Sequence, residues 1–412
     1  MHNREYYIKL NLNEVCYVKE HYRLIVLGAG AGGITSTSMI LRKKKELKGD
    51  TLIIDPSDYH YFQPGFPLVG SGELKLEDTR KRMVDVIPKG AVWEKSRVTG
   101  VDPKKREVTT GEKTFTYDYL LIALGLELDF GAIEGVKESL GKNGVTTTYL
   151  YDYLEYTYQT LKEVKHGNII ITKPKSKIKG AVAAENSLFT MKDFEEIYHH
   201  KNVQVLFRSG RDRLFKVDKY NQSLTVEMEK QGIDYKLDHE LVRVDSVNRF
   251  AMFKDLKTGA VERLPFELLV ITPPQRGPSV LKNSPLIDEE GWVSVDNHTL
   301  RHTDFPTIFG LGDATNLPIT KMAASVRKQV PVVVQNIIDV MDGRSPSKRY
   351  NGDTAAPIAT ELGRLILAEY DYERIPKETT FLDQSKSNLF LYQFKKRMIP
   401  FMYWNGMMNG RT

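Results

Sequence analysis

Residues 22–45 read YRLIVLGAGAGGITSTSMILRKKK, and the reading of this stretch decides the fold. Tyr22 to Leu27 is an apolar, β-rich run of strand length. Gly28, Gly30 and Gly33 follow at once in the spacing G-x-G-x-x-G, and Ile34, Met39, Ile40 and Leu41 then mark a helix. The glycines permit a tight turn, close approach of backbone to a pyrophosphate, and packing of the helix on the strand, with the helix N-terminus aimed at the phosphates. Working outward, Thr51 to Ile54 reads as a second strand ending in Asp55, at the distance past Gly33 where an acid that binds a ribose belongs. Strand, turn, helix, strand and acid together predict a dinucleotide-binding unit; a glycine-rich turn without a ligand is the competing reading.

The 412 residues suit two or three domains, with 41% hydrophobic and 27% charged residues, ordinary for a globular chain. The net charge of +6, from 59 basic and 53 acidic residues, is too small an excess to argue for nucleic acid. Cys16 is the only cysteine, so one chain can build neither a disulfide framework nor a thiolate metal cluster, and no metal is expected. No apolar run is long enough to span a membrane. Residues 1–22 mix Arg4, Lys9 and Lys19 with Glu5, Glu14 and Glu20, so a targeting signal is not evident.

Two later segments choose the dinucleotide. Tyr117 to Gly125 (YDYLLIALG) resembles the strand and glycine that close the first half of two-dinucleotide flavoproteins. Ile308 to Ala314 (IFGLGDA) resembles their strand ending in Gly-Asp, which puts Asp313 on the ribityl chain of FAD; Asp313 as a helix cap is the alternative. In NAD(P)H-dependent enzymes of this architecture a second glycine-rich loop follows a strand in mid-chain. Here the strand Gly167 to Thr172 (GNIIIT) runs into KPKSKIKGAVAAEN, so electrons are not expected from a nicotinamide. Lys173, Lys175, Lys177 and Lys179 alternate with other residues and read as a solvated strand face.

From Tyr22 to about Asn405 the chain resembles the mitochondrial-type sulfide:quinone oxidoreductases. The resemblance is carried by HYFQPGFPLVGSG (60–72), VITPPQRGPSVLKNSPL (270–286), GLGDATNLPITKMAAS (310–325), ILAEYDY (366–372), FLDQSK (381–386) and MIPFMYWN (398–405). It implies an α/β, tandem Rossmann-like, two-dinucleotide-binding flavoprotein fold with a C-terminal membrane-facing segment. The expected organisation is an N-terminal extension (1–21), an FAD-binding domain (22–150 and 290–345), a second Rossmann-like domain without a nucleotide loop (151–289) and a C-terminal quinone- and membrane-facing region (346–412). The implied cofactor is FAD, held by Gly28, Gly30, Gly33, Asp55, Gly125 and Asp313, with Lys321 stabilising negative charge on the reduced ring. The implied partners are ubiquinone and sulfide or another small reductant, and the implied location is the mitochondrial inner membrane, peripherally bound.

The family's chemistry uses two cysteines, because a thiolate must attack and carry sulfur. The resemblance places them at Gly180 and Ala356, and a third family cysteine at Ala314, none of which has a reactive side chain. Gly180 and Ala356 are expected to face each other beside the flavin. Three functions follow: a flavin oxidoreductase that passes electrons to quinone without efficient sulfide oxidation, a flavin-retaining pseudoenzyme with a structural or regulatory role, and a type II NADH dehydrogenase-like enzyme. Gln63 and Pro64 match the family segment beside flavin and quinone. The tail, Asn388 to Asn405 (NLFLYQFKKRMIPFMYWN), combines Phe390, Phe394, Phe401, Tyr403 and Trp404 with Lys395, Lys396 and Arg397. These aromatics are expected among acyl chains and the basic residues at anionic head groups. Lying beyond every nucleotide motif, the tail is expected to be separable from FAD binding.

Overall fold

The structure is a computed structural model describing residues 6–8, 16–18, 20–111, 113–180, 182–198, 202–361 and 363–412. In chain order its main elements are β1 (His21–Leu27), α1 (Ala31–Lys43), β2 (Thr51–Ile54), β3 (Val92–Glu94), β4 (Lys113–Ile122), β5 (Gly167–Lys173), α2 (Ala183–Ile197), β6 (Val203–Ser209), β7 (Asp234–Lys236), β8 (Leu268–Val270), β9 (Ile308–Gly310), α3 (Ala323–Met341), β10 (Thr354–Glu361), β11 (Arg364–Tyr370) and α4 (Leu389–Phe401).

The first sheet runs β3-β2-β1-β4-β9, all parallel, and an antiparallel hairpin extends the start of β4. Leu24 to Leu27 and Leu120 to Ile122 have no exposure, as expected for strands covered on both faces. Helices α1 and α3 pack together against this sheet, where Ile34, Ile40, Val330, Val333 and Ile337 join its core. Register puts Leu27 opposite both Ile54 and Ile122, and Ile122 opposite Gly310. The loops beginning at Gly28, Asp55, Ala123 and Leu311 therefore leave one edge of the sheet, where ligands of open α/β sheets bind.

A second parallel sheet has β8, β5, β6 and β7 in that order, with Val145–Thr146 beyond β8. A first core forms around the first sheet, and the second sheet carries a core on each face, the second core on the face of Ile169, Ile171 and Phe207 and a third on that of Ile170, Leu206 and Leu269. The antiparallel hairpin β10-β11 packs its buried side chains into the second core and carries α4 on β11. The tandem Rossmann-like architecture agrees with the α/β expectation.

At Gly33 the helix and strand approach so closely that a Cβ would overlap the Gly28 carbonyl oxygen. Gly28 has φ +97°, and its Cβ would lie 2.5 Å from Ala123 O, so neither position accepts a side chain in place. Gly33→Ala is expected to lower unfolding free energy by roughly 2–4 kcal/mol, as for overpacking against rigid backbone. Urea denaturation checks this, and a change below about 1 kcal/mol would show that the helix can shift.

Candidate functional site

One cavity of about 730 Å³ opens along the edge of the first sheet and continues between the second sheet and α4. Gly28 to Gly32, Asp55, Ala123 to Gly125 and Gly312 to Asp313 line its first-sheet side. Gly30 is the N-cap of the 13-residue α1 and no side chain caps it, so the first N–H groups of the helix have no internal partner and face the cavity. Nothing lies within 4 Å of where a Gly30 Cβ would stand. Asp55 accepts from Ala29 N at 2.7 Å and Ser57 N at 2.8 Å, which fixes the carboxylate beside the glycine turn. Burial pushes its pKa up, and the two N–H bonds oppose that shift. On the far side, the 19-residue α3 also starts uncapped, with Met322, Ala323 and Ala324 on the wall. An anionic, elongated molecule pinned at α1 and reaching α3 fits this donor set.

The Gly-Asp turn is built rigidly. Gly312 (φ +72°) donates to Gln329 Oε1 at 2.8 Å, and Lys321 Nζ donates to the carbonyls of Asp313 (2.9 Å) and Thr315 (2.6 Å) while lying 3.9 Å over the Trp292 ring. Burial lowers the Lys321 pKa to about 8. Its ammonium thus braces the turn, and the residue lies on the cavity wall. Gly125 also lies on the wall, at φ +71°.

The second sheet closes the place where another nucleotide loop would stand. Arg211 donates to Pro174 O (3.2 Å) and Ser176 O (2.6 Å), and Glu240 accepts from Lys175 N at 2.8 Å. Lys173 and Glu185, 2% and 0% exposed, form an ion pair beneath. The expected solvated lysine face is corrected here. The strand ends at Lys173, which is buried; Lys175 and Lys177 are exposed; and Lys179 turns into the cavity. A strand face needs the strand to continue, and Pro174 ends it.

Gly180 has φ +55° and lies on the cavity wall. Alternation along β10 puts Ala355 and Pro357 on the wall and turns Ala356, fully buried, into the second core with Val182. Ala314 is likewise buried, in the first core.

Gln63 and Pro64 line the cavity. The tail departs from expectation. Phe390, Phe394, Arg397 and Phe401 share one face of α4 by helical spacing, and the three phenylalanines are 68%, 42% and 60% exposed, so they are available to a partner or membrane. Lys395 points the opposite way. It is buried, donates to Asn186 Oδ1 at 2.9 Å and Pro357 O at 3.4 Å, and has its pKa lowered to about 8 by burial. Its place on the face with Leu391, Tyr392 and Ile399 was the available sequence signal. Tyr403 is buried too, 4.9 Å from the Phe62 ring, and Trp404 packs against His60 and Tyr403. The chain end is bound to α1: Ser38 Oγ donates to Met408 O at 2.7 Å, and Arg42 to the carbonyls of Asn409 and Gly410. The tail is therefore part of the first core, and separability from the cofactor site is corrected.

His60 joins these parts. Its Nδ1 is 2.9 Å from Ala29 O, which can only accept, so Nδ1 carries the hydrogen and Nε2 (2.7 Å) accepts from the Tyr403 hydroxyl. Burial lowers the His60 pKa to about 4. Among the described residues no group of three or more His, Cys, Asp or Glu could hold a metal, and no helix is long and apolar enough to cross a membrane.

A family model described as pyridine nucleotide-disulphide oxidoreductase matches residues 22–336. The mitochondrial sulfide:quinone oxidoreductase of Mus musculus is 35% identical over 407 residues, covering 98% of this chain and 90% of that one. Among solved structures, the sulfide:quinone oxidoreductase of Aquifex aeolicus superposes with TM-score 0.80 at 20% identity, covering 95% of this chain and 92% of that one. A chain of the Tetrahymena thermophila mitochondrial ATP synthase superposes with TM-score 0.84 at 19% identity, covering 95% and 96%. The chain belongs to the pyridine nucleotide-disulphide oxidoreductases and, within them, to the mitochondrial sulfide:quinone oxidoreductase family, whose cofactor is FAD.

Folded His60 stays neutral down to about pH 4, whereas in the unfolded chain it binds a proton below about 6.5. Its contribution is therefore complete above pH 6.5 and is lost as pH falls toward 4, by on the order of 3 kcal/mol. His60→Gln is expected to flatten this part of the stability profile. Tyr403→Phe, which leaves Nε2 without a donor, is expected to cost roughly 1–3 kcal/mol in urea denaturation.

Proposed function

We propose that the chain is an FAD-dependent oxidoreductase that delivers electrons to quinone without a dithiol relay, bound peripherally at the mitochondrial inner membrane. The observation that carries this reading is the single cavity running from the uncapped glycine loop to the C-terminal helix, with no sulfur at the positions where the family holds its reactive cysteines. When bound, FAD supplies a ring that takes two electrons from a donor and returns them to quinone. Gly28 to Gly33 would hold the pyrophosphate, Asp55 the adenosine ribose and Asp313 the ribityl chain. Gly125 leaves room for the backbone beneath them.

Ubiquinone would enter between Gln63, Pro64, Phe394 and Pro400, which share the cavity with Lys395. Reduction of quinone needs two protons. The Lys395 ammonium, with its pKa near 8, can hold one, and Glu73 draws that charge outward. Glu73 accepts from Tyr392 and lies 3.9 Å from half-exposed Lys396, so a route to water runs along one side of α4. The exposed phenylalanine face with Arg397 supports docking on an anionic membrane. Closure of the second-sheet crest by Arg211 and Glu240 supports the exclusion of NADH and NADPH as donors.

A second reading, a flavin-retaining structural component of a membrane assembly, is favoured by the inert residues at 180 and 356 together with the exposed face of α4. A chain of this fold is part of the Tetrahymena thermophila ATP synthase assembly.

Two measurements test the proposal. Sulfide added anaerobically to the FAD-loaded protein is expected to leave the flavin bands nearly unchanged; bleaching at a rate matching turnover would restore sulfide as donor. After chemical reduction and removal of reductant, a short-chain quinone is expected to reoxidise the flavin faster below pH 8 than above it, because the Lys395 ammonium is lost above that pH. Lys395→Met should slow the step roughly tenfold or more. Reoxidation no faster than by air would favour the structural reading.

A further inference from the structure

Lys179 stands immediately before Gly180, and its side chain crosses the cavity. The ammonium donates to Gln63 Oε1 at 2.6 Å, bridging to a wall 116 residues away in sequence. Its backbone N–H donates to Gln275 Oε1 at 2.6 Å, and Gly180 N–H donates to Lys321 O at 2.7 Å, so the main chain behind it is fixed as well. Among the described residues it forms an ion pair with no carboxylate; Asp313 attracts it from farther away, and burial acts against its charge. Neighbouring lysines differ: Lys177 pairs with Glu290, and Lys377 with Asp371. Lys321 is turned to the carbonyls of its own turn, and Lys395 to the α4 wall. A half-buried ammonium on the cavity wall, held only by a neutral amide oxygen, is left to pair with a negative group that enters the cavity.

We propose that Lys179 is a positioning residue that holds positive charge beside the redox ring of bound FAD and favours its reduced, negatively charged form. This rests on the placement of FAD given above. A molecule pinned at Asp55 and reaching Asp313 spans three strand spacings of the first sheet, about 14 Å. The wall beyond is formed by the N-terminus of α3 and the Lys179 to Gln63 contact, and both favour negative charge. Two electrons and one proton added to the oxidised ring leave one negative charge, which the ammonium meets without displacing any carboxylate.

The test is an anaerobic equilibrium titration of the FAD-loaded protein with dithionite against a reference dye, read from flavin absorbance. Lys179→Met is expected to lower the ratio of reduced to oxidised cofactor at fixed potential about tenfold, or about 30 mV for a two-electron couple. Lys179→Arg, which keeps the charge, should stay within about threefold of the parent. Gln63→Glu, which gives the ammonium a carboxylate partner, should lower the ratio in the same direction as Lys179→Met. Lys179→Met or Gln63→Glu that retains FAD with an unchanged midpoint would overturn the inference. If Lys179→Met loses FAD, the Arg and Gln63→Glu pair decides the matter by the same criteria. Parent protein that retains no FAD would overturn the placement itself, and the inference with it.

Discussion

The rest of the site depends on the contact between the start of α1 and the end of β1. The Gly28 carbonyl oxygen occupies the space a Cβ of Gly33 would need, so the helix begins directly on the strand, with no loop to absorb error. Because β1 sits in mid-sheet, its register with β2 and β4 carries that precision sideways to Asp55 and to Gly125. Through β4 it reaches β9 and the Gly-Asp turn. One backbone approach thus sets where four loops end, and the cavity is the space those loops leave.

The opposite wall follows a different physics. The second sheet has the strand order to hold a nucleotide, yet its crest is filled by Arg211, Glu240 and the buried pair Lys173 and Glu185. Removing one member of such a pair strands a charge in the interior, so a single change at the closed crest is strongly destabilising. At Lys179, Lys321 and Lys395, which have no ion-pair partner among the described residues, the side chains reach neutral oxygens, and all three residues line the cavity. The protein places its cost of desolvation where a ligand can offset it.

The sequence made the first half of the site legible because each part is local. The glycines, Asp55 and the Gly-Asp turn each follow a strand by a fixed number of residues, and loops at strand ends inherit their positions from the sheet. The second half was not legible because it depends on contacts between distant segments. That Tyr403 meets His60, 343 residues away, cannot be read from either neighbourhood. Lys395 sits among Lys396 and Arg397, and a basic run reads as surface until helical spacing separates the buried one from the exposed two. At Ala356 family similarity aligns the position, while strand alternation decides which face it takes, and neighbouring Ala355 takes the cavity face.

The tail shows why the two readings of function share one structure. A membrane-docking segment that were only an appendage could be lost or changed without effect on the cofactor. Here the same helix exposes Phe390, Phe394 and Phe401 on one side and contributes Lys395 to the cavity on the other. The segment after it returns to α1, where Tyr403, His60 and Ala29 form a chain of hydrogen bonds ending at the glycine turn. A force on the exposed face therefore acts on a segment bonded to the glycine turn. The hydrogen bonds of Tyr403 and His60 would thus hold the segment after α4 in place even if electron transfer no longer mattered. An intact glycine turn is accordingly weak evidence of turnover in this fold.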